Sequence, residues 1–85
     1  MAAYSVLVKR SAEKEIASLP GDVRQRVVQQ IRALAVDPRP HGCEKLSASE
    51  SYRVRTGSYR IVYTIHDRQL VVQVVRVAHR REVYR

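Results

Sequence analysis

Residues 52–85 read YRVRTGSYRIVYTIHDRQLVVQVVRVAHRREVYR, and this stretch decides the fold. Apolar and polar side chains alternate through much of it, the two-residue period of a strand with one buried face. Tyr52 and Val54 fall on one side, Arg53 and Arg55 on the other. Further along, Tyr59, Ile61, Tyr63 and Ile65 share a face and leave Arg60, Val62 and Thr64 opposite. The run LVVQVVRV is apolar on both sides, as suits the centre of a sheet. Strands are therefore expected at 51–55, 58–65 and 69–77, joined by Thr56-Gly57 and by His66-Asp67-Arg68. Such short links imply an antiparallel meander.

Toward the N-terminus, Tyr4, Val6 and Val8 alternate with Ser5, Leu7 and Lys9, which predicts a first strand ending near Lys9. Ser11 is placed to cap a helix over 12–19, and Pro20-Gly21 interrupts it. A second helix follows. Asp22 and Gln25 resemble a capping box, Val23, Val27, Ile31, Leu34 and Ala35 form its apolar face, and Asp37-Pro38 stops it. Residues 38–50, PRPHGCEKLSASE, show neither period and read as a loop. The expected fold class is α+β, a single domain over 1–85 with βααβββ order. Two N-terminal helices would pack on one face of a small, mainly antiparallel four-stranded sheet.

The net charge is +8 over 85 residues and is unevenly spread. Residues 1–50 hold 8 basic and 6 acidic side chains, whereas residues 51–85 hold 8 and 2. A field of this sign favours polyanions. Cys43 is the single cysteine, so no internal disulfide forms. The opening MAAYSVLVKR reads as a strand and not as a signal peptide. No apolar run reaches the roughly 20 residues that span a bilayer. A soluble, cytoplasmic protein without membrane contact is expected.

If the apolar faces meet the helices, Arg53, Arg55 and Arg60 project from the far side of the sheet, and His79, Arg80, Arg81 and Tyr84 can join them from its end. Arginine presents a planar, permanently charged fork that matches phosphate. Asp67 and Glu82 are too few to neutralise eight arginines, and like charges on neighbouring strands repel. An anion-binding surface is therefore expected. Tyr52, Tyr59 and Tyr63 alternate with core residues and are expected to pack inward, where they cannot stack on bases. His41 and Cys43 are two potential ligands in a loop, which do not make a metal site. His79 is either a proton donor or a solvent-exposed residue that holds RNA or a partner.

YRVRTGSYRIVYTI, followed one strand later by VVRVAHRREVYR, resembles the RelE branch of the RelE/ParE toxins of toxin-antitoxin pairs, and YSVLVKRSAEKEIASLP with the βααβββ order extends the likeness over nearly the whole chain. The resemblance implies an endoribonuclease that needs no metal or other cofactor and cuts mRNA in the ribosomal A site. Arg53 and Arg55 then fall on a basic pair of the family's second strand, Arg60 on the arginine of its third, Arg80 on the arginine ending its fourth and Tyr84 on its C-terminal active-site tyrosine. Lys45, His79, Arg81 and Arg85 are further candidates for RNA and ribosome contact. Cleavage requires taking the 2′-hydroxyl proton, stabilising a phosphorane and protonating the departing 5′-oxygen. The arginines suit the middle task. Tyr84 suits the first, because a phenol that ordinarily titrates near about 10 is favoured as phenolate by neighbouring cations. The implied partners are the ribosome with its rRNA, mRNA, and an acidic RelB-like antitoxin in a toxin-antitoxin hetero-oligomer. Two alternatives stay open: a ParE-like inhibitor of DNA gyrase, and a non-catalytic module binding RNA or an acidic protein.

Overall fold

The computed structural model describes residues 3–46 and 50–79. Its elements run β1 (Ser5–Val8), α1 (Arg10–Ala17), α2 (Gly21–Leu34), β2 (Glu44–Lys45), β3 (Ser51–Thr56), β4 (Tyr59–His66) and β5 (Val71–His79). They form one sheet in the order β1-β5-β4-β3-β2. β1 is parallel to β5, and all other neighbours are antiparallel. The α+β class and the βαα start hold, but the sheet has five strands, not four. The extra strand lies inside the segment expected to be loop, where Glu44 pairs with Arg53 and Lys45 with Tyr52. Two residues are too few to show a period. Pairing with the edge of β3, assisted by Leu46 N–H donating to Ser51 O at 2.9 Å, makes them a strand.

Local signals set the remaining boundaries. α1 starts at Arg10 with Lys9 at the cap position, so Ser11 lies inside the helix. α2 starts at Gly21 behind Pro20 with no side-chain cap, and Asp22 pairs with Arg26 at 3.5 Å one turn on, outside any capping box. Gly57 and Ser58 close the β3–β4 hairpin, with Gly57 at φ +60°, the left-handed geometry that the first position of a type II′ turn favours. The next turn takes in Gln69 and Leu70, which the period assigned to the strand. Leu70 there has φ +54° and donates to Asp67 O at 3.2 Å.

The helices cover one face of the sheet. Ala12, Val27, Ile31 and Leu34 pack against Val54, Ile61, Tyr63, Ile65, Val72, Val74 and Val77. Tyr63 is fully buried, and its hydroxyl donates to Pro38 O at 2.8 Å, tying the loop after α2 to the centre of the sheet. Tyr52 stacks on it with ring centroids 6.0 Å apart. A clasp at the same end holds that loop a second time. Arg39 gives two hydrogen bonds to Asp67, at 3.2 and 2.9 Å, Tyr4 adds a third at 2.7 Å, and Arg39 Nε donates to the Tyr52 hydroxyl at 3.3 Å. Among the described residues, no helix is long and apolar enough to cross a membrane.

β5 is irregular at one point. Val62 is opposite Arg76 whereas Tyr63 is opposite Val74, so Val75 is an extra residue, a bulge. Past that point β5 has lost its neighbour on the β1 side, because β1 ends at Val8 opposite Val74. Glu15 of α1 fills the gap: its Oε1 accepts the Val77 N–H at 2.8 Å.

Two measurements test these supports. Tyr63→Phe leaves the Pro38 carbonyl without its buried donor and is expected to lower unfolding stability by about 1–2 kcal/mol in a urea titration with unchanged m-value. The hydrogen bonds from Arg39 and then Tyr4 hold the Asp67 carboxyl below the usual carboxylate range. A depressed folded pKa contributes stability above the unfolded value, and that contribution is lost as pH falls through the folded one. Thermal melts between neutral pH and about pH 2 should therefore fall more steeply for the wild type than for Asp67→Asn.

Candidate functional site

The core takes Val54 of β3 and Ile61, Tyr63 and Ile65 of β4, and the two-residue period leaves the alternate positions on the open face. Arg53 lies beside Val62, and Arg55 directly opposite Arg60. Val62 and Ala78 are buried yet stand outside the core cluster, so they form an apolar floor on this open face. Arg53, Arg55 and Arg60 surround a small cavity of about 120 Å³, completed by Gly42 and Glu44. Gly42, at φ +90°, bends the chain just before β2 in a conformation that a side chain would strain. β2 then sets Glu44 beside Arg53, and its carboxylate accepts from the Arg53 guanidinium at 2.7 Å.

This contact is short enough for a charge-assisted hydrogen bond. Its two ends differ in exposure: the Arg53 side chain is 13 % accessible and that of Glu44 is 67 %. The cation is fixed in the cavity wall and the anion lies on the outside. Arg55 is exposed and Arg60 half-buried. The chemistry available is the binding of a group with several anionic oxygens, for which Glu44 holds one position.

The other sequence candidates separate. Lys45 pairs with Tyr52 and so belongs to the opposite face, where it lines a cleft of about 470 Å³ beside Arg39, Asp67 and Arg68. His79 is opposite Tyr59, with the rings in an edge contact at 5.5 Å, which puts it on the helix side and not with Arg60. Tyr52, Tyr59 and Tyr63 lie on the core side, with Tyr63 inside it and Tyr52 and Tyr59 half-buried. Arg80, Arg81, Tyr84 and Arg85 lie outside the described residues.

Two residues of this face escaped the sequence reading. Glu44 sits in CEKL, which has no period, and only pairing with β3 fixes its direction. Arg76 was hidden by the bulge. A two-residue count from Val72 and Val74 would bury it, but the extra Val75 turns it to the face of Val62 and puts Val77 in the core.

A sequence model for the ParE toxins of type II toxin-antitoxin systems, parDE, matches residues 6–84. Toxin RelG of Mycobacterium tuberculosis is 29 % identical over 84 residues, covering 96 % of this chain and 97 % of its own. A chain of the M. tuberculosis toxin-antitoxin complex RelBE2 superposes with a TM-score of 0.83 at 27 % identity, over 93 % of both chains. The isolated E. coli RelE toxin gives 0.80 at 30 % identity, over 96 % of this chain and 92 % of its own. The RelE-RelB complex of Pyrococcus horikoshii OT3 gives 0.84 at 25 % identity, over 96 % and 99 %.

Glu44 competes with any anion for Arg53. Partly exposed pairs contribute up to about 1 kcal/mol, so Glu44→Gln should tighten binding of a labelled single-stranded oligonucleotide by about two- to fivefold at low salt, read by fluorescence anisotropy.

Proposed function

We propose that this chain, which belongs to the ParE toxin family of type II toxin-antitoxin systems and is RelE-like, is a metal-independent endoribonuclease that cleaves mRNA in the ribosomal A site and arrests translation. The observation that carries the reading is the cavity on the open face, where three arginines from two adjacent strands converge. A phosphate passing through a phosphorane gains charge on its non-bridging oxygens. Charged donors already in position stabilise that charge more than the ground state, each by about 10²- to 10³-fold in comparable sites.

In the proposed reaction, the 2′-oxygen of one nucleotide attacks the phosphorus that follows it. The 2′-O–P bond forms in line as the P–O5′ bond breaks, leaving a 2′,3′-cyclic phosphate and a 5′-oxygen that takes a proton from water to become a hydroxyl. Arg53, Arg55 and Arg60 hold the phosphorane oxygens. By family resemblance Tyr84 takes the 2′-proton and Arg80 faces the departing 5′-oxygen, where arginine stabilises charge better than it gives up a proton. Phosphate entering the cavity displaces Glu44 from Arg53. Lys45 and His79 face the other side of the sheet and serve there as RNA and ribosome contacts, in company with Arg81 and Arg85.

A toxin of this kind is held inactive by an antitoxin. The RelE proteins of E. coli and P. horikoshii form complexes with RelB. For this chain the partner is an acidic RelB-like protein whose Asp and Glu side chains cover the arginine face in a hetero-oligomer.

The family model describes ParE toxins, which favours inhibition of DNA gyrase as the second reading. Induced expression of wild type, Arg60→Ala, Arg80→Ala and Tyr84→Phe, with mapping of messenger 5′ ends, separates the two. Codon-phased cuts in translated messages are expected for the wild type, reduced at least about 100-fold in Arg60→Ala and lost in the other two variants. Growth arrest with intact messages and blocked supercoiling would establish the gyrase reading instead.

A further inference from the structure

We infer that Arg76 is a further phosphate-binding residue of the open face, one that Glu15 holds at the sheet edge until RNA arrives. This inference rests on the RNA-cleaving function and extends it to a neighbouring phosphate of the same strand.

Val62 lies between Arg53 of β3 and Arg76 of β5, so the two arginines flank one apolar residue across three strands. Two strand spacings separate their backbones by roughly 9.5 Å. Long, flexible side chains can close that span onto successive phosphates of one strand. Arg53 and Arg76 thus define a line across the face, and Arg55 and Arg60 lie alongside it. The bulge at Val75 creates the line. Without it Arg76 would point among Val72, Val74 and the helices, where a guanidinium has no water.

The way Arg76 is held separates it from Arg53. Arg53 makes a 2.7 Å hydrogen bond to Glu44. Arg76 Nε stands 3.8 Å from Glu15 Oε2, close enough for charge attraction but too far for a hydrogen bond, and Nε makes none. Glu15 already spends its other oxygen on the Val77 N–H. The two side chains are 38 % and 33 % accessible, although Arg76 Nε itself is shielded from solvent. Attraction without a directed bond, in partial contact with solvent, is weak. A phosphate offers Arg76 the paired, directional contact that Glu15 does not. The carboxylate also explains why a cation is tolerated beside the core in the absence of RNA. When Arg76 leaves, Glu15 keeps Val77 in place, so the strand end is not disturbed.

On this account Arg76 sets affinity and the path of the strand, and takes no part in bond making. The test uses the full chain and an RNA oligonucleotide with a single 2′-deoxy substitution at the cleavage position, so that binding is measured without reaction. Plots of log affinity against log salt should become shallower by about 0.7 for Arg76→Gln, the loss of one phosphate contact on a single strand, and Arg76→Lys should restore the slope. Glu15→Gln retains an acceptor for Val77 and should tighten binding severalfold at low salt, a gain absent from the Glu15→Gln/Arg76→Gln double variant. Arg53→Gln is the control for the underlying function. If Arg53→Gln flattens the slope and Arg76→Gln does not, Arg76 binds no phosphate while the RNA reading stands. If neither changes it, the RNA reading fails and takes this inference with it. Should Arg76→Gln not melt cooperatively, the decision passes to Glu15→Gln, whose failure to tighten binding would overturn the proposal.

Discussion

β4 is the strand on which everything else depends. It must bury Ile61, Tyr63 and Ile65 under the helices, and each carries less than 5 % exposure. Transfer of such side chains from water stabilises the fold by roughly 1.5–3 kcal/mol apiece, far more than a repulsion between exposed arginines costs. The hydrophobic term therefore wins, and a pleated strand then has one remaining direction for Arg60. Because β3 and β5 are locked to β4 by register, Arg53, Arg55 and Arg76 inherit their directions from the same constraint. A one-residue slip would drive these cations into the core. Core packing and the charged face are two consequences of one alignment.

The charges on that face are not left without counter-ions, although the nearby sequence supplies few. Asp67, close in sequence, is engaged by Arg39 in the clasp at the end of the sheet. The partners come from far along the chain: Glu44 reaches Arg53 from β2, and Glu15 reaches Arg76 from α1. Both carboxylates sit at the rim and retain solvent contact. Each tempers the positive field of the folded protein.

Much of this was legible in the sequence, for a physical reason. Where a segment is half-buried, its two-residue alternation records which face meets the core, so β3, β4 and the shared direction of Arg53, Arg55 and Arg60 could be read directly. The reading failed where another constraint replaced periodicity. Glu44-Lys45 is a strand because β3 has an edge to offer, and its two residues carry no pattern. Arg76 changed face at a bulge, which alternation cannot register. His79 was expected beside the arginines because it ends the strand, whereas register aligns it with Tyr59 on the other side. Helix starts failed similarly, since Lys9 and Pro20 begin helices by backbone geometry and not through a hydroxyl or carboxylate cap.

The parallel pairing of β1 with β5 bears on the order of events during synthesis. Ser5 is made early and its partner Val71 late, and β5 is the strand that joins β1 to the antiparallel hairpin. While a ribosome is still translating the chain, β1 and the helices have no sheet to cover, and β4 lacks its neighbour on one side. Such distant pairings must wait for the loop between them to exist and then bear the entropy of closing it. The arginine face is completed by that same last strand. On a nascent chain the arginine face is therefore unassembled until β5 has emerged and closed onto β1 and β4.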